Sequence, residues 1–187
     1  MGRWQPDARA RLQLAALELY GERGYEATTV AEIAERAGLT KRTFFRYFAD
    51  KREVLFAGSE LLEEQMVAAI GAATAGASTL SLIGAALDSA ATRFEEVRDY
   101  AGLRHRIISS SPELRERELI KAESLAAALT QALRARGYDD TVANLAALMG
   151  VTVMHVAFEQ WVADPDQTPF EQVAKDVLAQ LREIATC

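Results

Sequence analysis

The sequence predicts an all-α protein of about nine helices. Three observations carry that reading. Ala and Leu dominate a composition with only 4 Pro in 187 residues. Helix start and stop signals recur along the whole length. No segment shows the apolar–polar alternation of a half-buried strand with turn residues at both ends. At this length the chain can form one large or two small domains, and 50% hydrophobic residues suffice for a proper core.

The first helix is predicted from near Asp7 to about Arg23, with Leu12, Ala15, Ala16 and Leu19 at helical spacing on its inward stripe. Arg3 and Trp4 precede it as a short basic-aromatic arm, of a kind that can touch a phosphate backbone or a minor groove. Residues 28–56 then read as two short helices and the start of a third. Thr29 and Glu32 match a capping box, and Val30, Ile33, Ala34 and Ala37 keep one buried face. Gly38 stands where the chain must turn, since a residue without Cβ enters the left-handed region cheaply. Thr40 opens the second helix. Asp50 with Glu53 repeats the capping pattern and predicts a long helix from Asp50 to about Ala73. Two helices on so tight a turn form a helix-turn-helix, the device that carries one helix into the DNA major groove.

The second helix has the right surface for that task. Phe44 and Phe48 share one face and can anchor it, while Lys41, Arg42, Phe45 and Arg46 fall roughly opposite. Cations can read guanine O6 and N7, and an aromatic edge can pack on a thymine methyl. Tyr47 and Lys51 flank this face, where they could hold phosphates and set register. A solvated amphipathic helix would show a charged outer face too, but the Gly38 turn and the crowding of cations favour DNA.

The same residues resemble the N-terminal domain of TetR-type (tetracycline-repressor-like) bacterial regulators. The resemblance rests on Thr28, Thr29, Val30, Ile33, Ala34, Ala37, Gly38, Leu39, Thr40, Thr43, Phe44, Phe45, Tyr47, Phe48, Lys51 and Leu55. It covers roughly Arg11 to Phe56, and beyond residue 60 it is one of length and helical pattern only. It implies a DNA-binding set of Thr28, Thr29, Thr40, Lys41, Arg42, Thr43, Phe45, Arg46, Tyr47 and Lys51. The family commonly has Tyr where this chain has Phe45, so only an apolar or stacking role carries over there. The expected domains are 1–52, the helix-turn-helix head, and 53–187, for effector binding and dimerisation. The helix expected from Asp50 would link them mechanically.

Further helices are predicted from about Leu80 to Val97, Asp99 to Ile108, Pro112 to Arg136, Asp140 to Ala163 and Thr168 to Ile184. Pro112 suits a first helical turn, and Gly137 a stop. The helix over 140–163 is apolar around most of its circumference and should be covered on most sides. With the companion helix at 169–185, it predicts a homodimer through a four-helix interface, which the resemblance also implies. A two-fold protein reads two half-sites of a palindrome.

Thr152, His155 and Glu159 follow three-and-four spacing and project together. They could orient an unknown small-molecule effector. A solvent strip, or a His155–Glu159 pair supporting its own helix, fits equally. Phe94, Tyr100, Phe158 and Trp161 are candidate pocket aromatics, though core packing suits each alone. His105, beside Arg104 and Arg106, could favour an anionic ligand or form a solvated cluster.

Net charge of −6 looks wrong for a nucleic-acid binder, but it divides unevenly. Residues 1–52 hold 10 Lys/Arg against 7 Asp/Glu, and the rest hold 11 against 20. Screening over about 8–10 Å lets a mildly basic head attract phosphate locally. The lone Cys187 permits no intramolecular disulfide, Met1 to Arg11 has no signal-peptide character, and no apolar run is expected to span a bilayer. These features predict a cytoplasmic protein with no membrane partner. Two histidines, no metal-ligand spacing, no phosphate loop and no nucleophile motif leave enzymatic readings without support, and no metal or cofactor is expected. The expected function is a repressor released from double-stranded palindromic operator DNA by a small molecule. The alternative is a helical effector-binding or protein-interaction module whose head no longer binds DNA.

Overall fold

The structure is a computed structural model. It describes residues 7–186, with side chains through Ile184. The Arg3–Trp4 arm and Cys187 lie outside the described residues. Among the described residues there are nine helices and no strand: α1 (Ala8–Arg23), α2 (Val30–Arg36), α3 (Lys41–Tyr47), α4 (Ser59–Ala72), α5 (Thr79–Glu96), α6 (Arg98–Ser110), α7 (Pro112–Ala135), α8 (Asp140–Ala163) and α9 (Phe170–Thr186). The all-α expectation therefore holds.

The chain forms two compact units. The first contains Met1–Gly58 and also Gly102–Glu118, the end of α6 and the start of α7. The second contains Ser59–Ala101 and Leu119–Cys187.

The first unit is built on α1, whose Leu12, Ala15, Ala16, Leu19 and Tyr20 are buried as the periodicity requires. Asp7 caps it by accepting from Ala10 N at 2.8 Å. Phe44, fully buried, plugs the three-helix head with Ile33 and Phe48 beside it. Ile107, Ile108 and Leu114 complete this core from a distant part of the sequence.

One expected element is corrected. No helix starts at Asp50; the chain bends there, residues 51–58 form successive turns, and α4 begins only at Ser59. Asp50 does act as a cap, since its Oδ1 accepts from Arg52 N at 2.8 Å and Glu53 N at 3.2 Å. Gly58 then takes φ +97°, a left-handed value that no α-helix interior accommodates. Polar anchors also hold the turns: Arg104 Nε donates to Leu55 O at 2.8 Å, Arg117 Nε pairs with Glu53 at 2.5 Å, and Arg52 with Glu113 at 3.2 Å.

The second unit packs α4, α5, α8 and α9 around Met66, Ile70, Leu82, Ile83, Leu87, Val153, Trp161 and Phe170. α5 and α8 approach closely at Gly150, where an added Cβ would lie 3.0 Å from Ile83 Cδ1 and Cγ2. Arg136 closes the end of α4, donating to the carbonyls of Gly71, Ala73 and Thr74 at 3.1, 2.8 and 2.8 Å. Those carbonyls have no intrahelical donor, so a cation there satisfies both hydrogen bonding and the helix dipole.

By length and composition α8 (Asp140–Ala163) is apolar enough to cross a membrane, which is weak evidence for a span. A helix packed in a protein core passes the same test. Here Ala143, Ala146, Ala147, Gly150, Val153, Ala157 and Trp161 are buried within the unit.

Candidate nucleic-acid interface

The head presents α3 on a frame set by short-range bonds. α2 opens with the expected capping box: Thr29 Oγ1 accepts from Glu32 N, and Glu32 accepts from Thr29 N at 2.9 Å. The Thr29 hydroxyl, and then that backbone bond, hold the Glu32 carboxyl below its ordinary range. α2 ends in a Schellman arrangement, with Leu39 N donating to Ala34 O at 2.8 Å and Gly38 N to Glu35 O at 2.9 Å. Gly38 has φ +65°, as the turn requires. Thr40 then caps α3 by accepting from Thr43 N at 3.2 Å, and the two hydroxyls lie 3.1 Å apart.

α3 buries Phe44 and exposes Lys41, Arg42, Phe45 and Arg46 together. Phe45 is 56% exposed while its ring packs edge-on against Phe44 at 5.5 Å, so the exposed ring is braced from below. Arg46 stacks over the Tyr47 ring at 4.9 Å and donates to its hydroxyl at 3.1 Å. This pairing of neighbours was not evident from spacing.

Charge pairing separates α3 from its surroundings. Arg36 binds Glu22 and Glu18 at 2.9 and 3.3 Å, Arg23 binds Glu32 at 3.0 Å, and Arg52 binds Asp50 and Glu113. Among the described residues, Lys41, Arg42 and Arg46 make no ion pair with a carboxylate. Arg23, Arg36 and Arg52 are thus neutralised, whereas the cations of α3 are not, which leaves a local positive field that net charge conceals.

Two members of the expected set point inward. Thr28 is buried, and its hydroxyl donates to Gly24 O at 2.8 Å. Lys51 Nζ donates to Tyr25 O at 3.0 Å, with Thr28 O and Glu26 O at 3.4 and 3.5 Å, and lies 4.2 Å from the Tyr25 ring centroid. Tyr20 donates to Lys51 O at 2.7 Å, and burial pushes its phenol well above the ordinary range. Arg11, absent from the expected set, donates through Nη2 to Ala37 O. Its only sequence signal is a cation at the edge of an apolar stripe.

The candidate effector residues of the second unit fall into separate groups. Phe94, Phe158 and Trp161 pack with Phe170 at ring separations of 4.4–6.1 Å, as a cluster rather than a lined space. Glu95 organises it, accepting from Trp161 Nε1 at 3.2 Å and Phe170 N at 2.7 Å while pairing with Arg98 at 2.9 Å. Burial opposes ionisation of Glu95, but Arg98 and these donors hold its carboxyl below the ordinary range. Thr152, His155 and Glu159 are exposed on α8. Thr152 bonds back to Leu148 O at 2.9 Å, and His155 lies 3.5 Å from Glu159. Tyr100 is exposed in the second unit, and His105 is half-buried in the first. A shallow apolar depression of about 190 Å³ lies elsewhere, among Leu80, Ile83, Val142, Leu145, Met149 and Leu178.

Residues 14–57 match the family model of bacterial regulatory proteins, tetR family. Over 134 residues the chain is 33% identical to the HTH-type transcriptional regulator TcmR of Streptomyces glaucescens, a match covering 68% of this chain but 59% of that relative. The solved structure of PfmR, a TetR family transcriptional regulator from Thermus thermophilus, is 28% identical with a TM-score of 0.51, covering 90% of this chain and 95% of its own. The transcriptional regulator FadR from Bacillus subtilis, solved in complex with stearoyl-CoA, has a TM-score of 0.63 at 20% identity and covers 92% and 96%, a likeness of fold. With the capped helix-turn-helix and the all-α architecture already described, these matches identify residues 14–57 as a domain of the tetR family of bacterial regulatory proteins.

Proposed function

We propose that this chain is a homodimeric, sequence-specific regulator of transcription that binds double-stranded operator DNA through α3 and responds to a small molecule. The observation that carries the DNA reading is the uncompensated cationic face of Lys41, Arg42 and Arg46 around an exposed, braced Phe45. In this reading Lys41, Arg42 and Phe45 meet base edges, while Thr29, Thr40, Thr43, Arg46 and Tyr47 meet the backbone. Thr28 and Lys51 act from inside the head. A module with a disused head has no reason to keep three unpaired cations on one helix face.

Dimerisation is supported by α8, which exposes Val142, Leu145 and Leu148 by 45%, 55% and 47% at successive three-residue steps. Ile184 on α9 is also exposed. Burying such a ridge against a second copy removes apolar surface from water at roughly 25 cal/mol per Å². The effector belongs to the second unit in this reading. A long-chain acyl-CoA, an apolar tail on a polyanionic carrier like the stearoyl-CoA held by the Bacillus subtilis FadR structure, is the first class to screen, and binding should raise the melting temperature.

The test is selection of duplexes from a randomised library by the wild-type chain. An enriched palindrome, bound as a dimer with an affinity falling steeply with salt, is the expected result. Leu145→Glu should yield monomers by sedimentation and lose the palindrome while keeping its helical content. A chain that enriches no duplex at low salt, or binds the palindrome as a monomer, contradicts the proposal.

A further inference from the structure

The chain leaves its reading helix on a short lever. α3 has seven residues and follows α2 through a turn of Ala37, Gly38, Leu39 and Thr40. The Schellman bonds satisfy the carbonyls of Ala34 and Glu35, but Ala37 O stays outside that pattern. Arg11, from the first turn of α1, supplies its donor: Nη2 bonds Ala37 O across 26 residues of sequence. The same nitrogen would lie 2.9 Å from a Cβ placed on Gly38, so the guanidinium occupies the space where a side chain at 38 would stand. It also sets a positive charge at the C-terminal end of α2, where the dipole favours one.

We infer that Arg11 is a positioning residue for DNA recognition: its guanidinium ties α1 to the turn carbonyl at Ala37 and fixes the direction in which α3 leaves α2. Gly38 is then required twice, once by its positive φ and once by Arg11. The inference rests on the DNA-binding reading above. Loss of the tie changes where Arg42 and Phe45 point, not how many cations α3 carries. Base discrimination should therefore suffer while attraction to phosphates remains.

The test measures binding of Arg11→Ala, Arg11→Lys, Gly38→Asn and the Arg11→Ala/Gly38→Asn pair to the duplex that the wild type selects and to a scrambled duplex. Asn tolerates the left-handed region best among residues with a Cβ, so Gly38→Asn mainly displaces the guanidinium. Arg11→Ala should lower the specific-to-scrambled ratio about tenfold, equivalent to roughly 1.4 kcal/mol, with an unchanged salt slope. Lys should restore part of the ratio, since an ammonium can still reach Ala37 O. Gly38→Asn should resemble Arg11→Ala, and the pair should be no worse than Arg11→Ala alone. Hydrogen exchange in Arg11→Ala should quicken at the Gly38 and Leu39 amides before the rest of the head. A wild-type ratio in Arg11→Ala, or effects that multiply in the pair, overturns the inference. Failure of the wild type to enrich any duplex instead removes the DNA reading, and unchanged exchange at 38–39 then overturns the Arg11 tie independently. If Arg11→Ala does not fold, Arg11→Lys carries both measurements, and an Arg11→Lys indistinguishable from wild type at Gly38→Asn as well as alone counts against the tie.

Discussion

Lys51→Met separates two roles that one cation could have. The substitution keeps the apolar stem and removes the ammonium, which donates to Tyr25 O at 3.0 Å and sits 4.2 Å from the Tyr25 ring. A hydrogen bond involving a charged group contributes about 1.5–3 kcal/mol, and a partly exposed cation–π contact about 0.5–1 kcal/mol. Lys51 is half-buried and water can reach the freed carbonyls, so the low end applies, about 2 kcal/mol in all. In a chain of this size 1 kcal/mol moves the midpoint by about 2–4 °C, which gives an expected fall of roughly 4–8 °C. Thermal unfolding followed by circular dichroism measures it. The salt dependence of binding to the selected duplex, recorded on the same samples below their midpoint, should keep its slope. A phosphate contact at Lys51 makes the opposite forecast: an unchanged midpoint, and a slope smaller by about 0.9. That pair of results would refute the internal role.

Arg42→Ala should relax discrimination at particular base pairs by about 1–3 kcal/mol, read by competition among single-base variants of the selected duplex; unchanged affinity and preference would remove Arg42 from the reading face. Gly150→Val should destabilise the second unit by about 1–3 kcal/mol in urea titration, because the added Cβ already meets Ile83 at 3.0 Å and two methyls must follow. Gly150→Ala should be near neutral, since about 1 kcal/mol of helix propensity offsets the crowding; a Val variant as stable as wild type would show that the α5–α8 contact yields. Glu95→Gln should be less stable than wild type at pH 7, where the depressed carboxyl is fully ionised. Its deficit should shrink as pH falls below the ordinary value of 4.5 and through the folded one, because protonation removes the Arg98 pairing from the wild type too. A deficit independent of pH would assign Glu95 to packing alone.

Much of the head was legible because its signals are local. The Thr29–Glu32 box, the left-handed Gly38 and the Thr40 cap each act within three or four residues, so the order of residues specifies them directly. Periodicity likewise placed Leu12, Ala15, Ala16, Leu19 and Phe44 inside, and the nine helical segments followed from caps, prolines and glycines. The failure at Asp50 has the same origin. Its capping pattern is real, but whether a helix follows depends on Gly58 and on partners at Arg104 and Arg117, roughly fifty residues or more away.

The sequence by itself determined the fold class, the helix-turn-helix and the residues that α3 turns outward, because backbone hydrogen bonding and helical period are short-range properties. Tertiary structure alone decided which cations are already taken. Lys51 reads as a clamp until Tyr25 and Thr28 close around it, and Arg11 gains its partner only when the fold brings Ala37 O beside it. It also placed Gly102–Glu118 with the head and left Thr152, His155 and Glu159 on an exposed face. The physical reason is that a charge acts on whatever the fold brings within a few ångströms, and no local pattern encodes that neighbour.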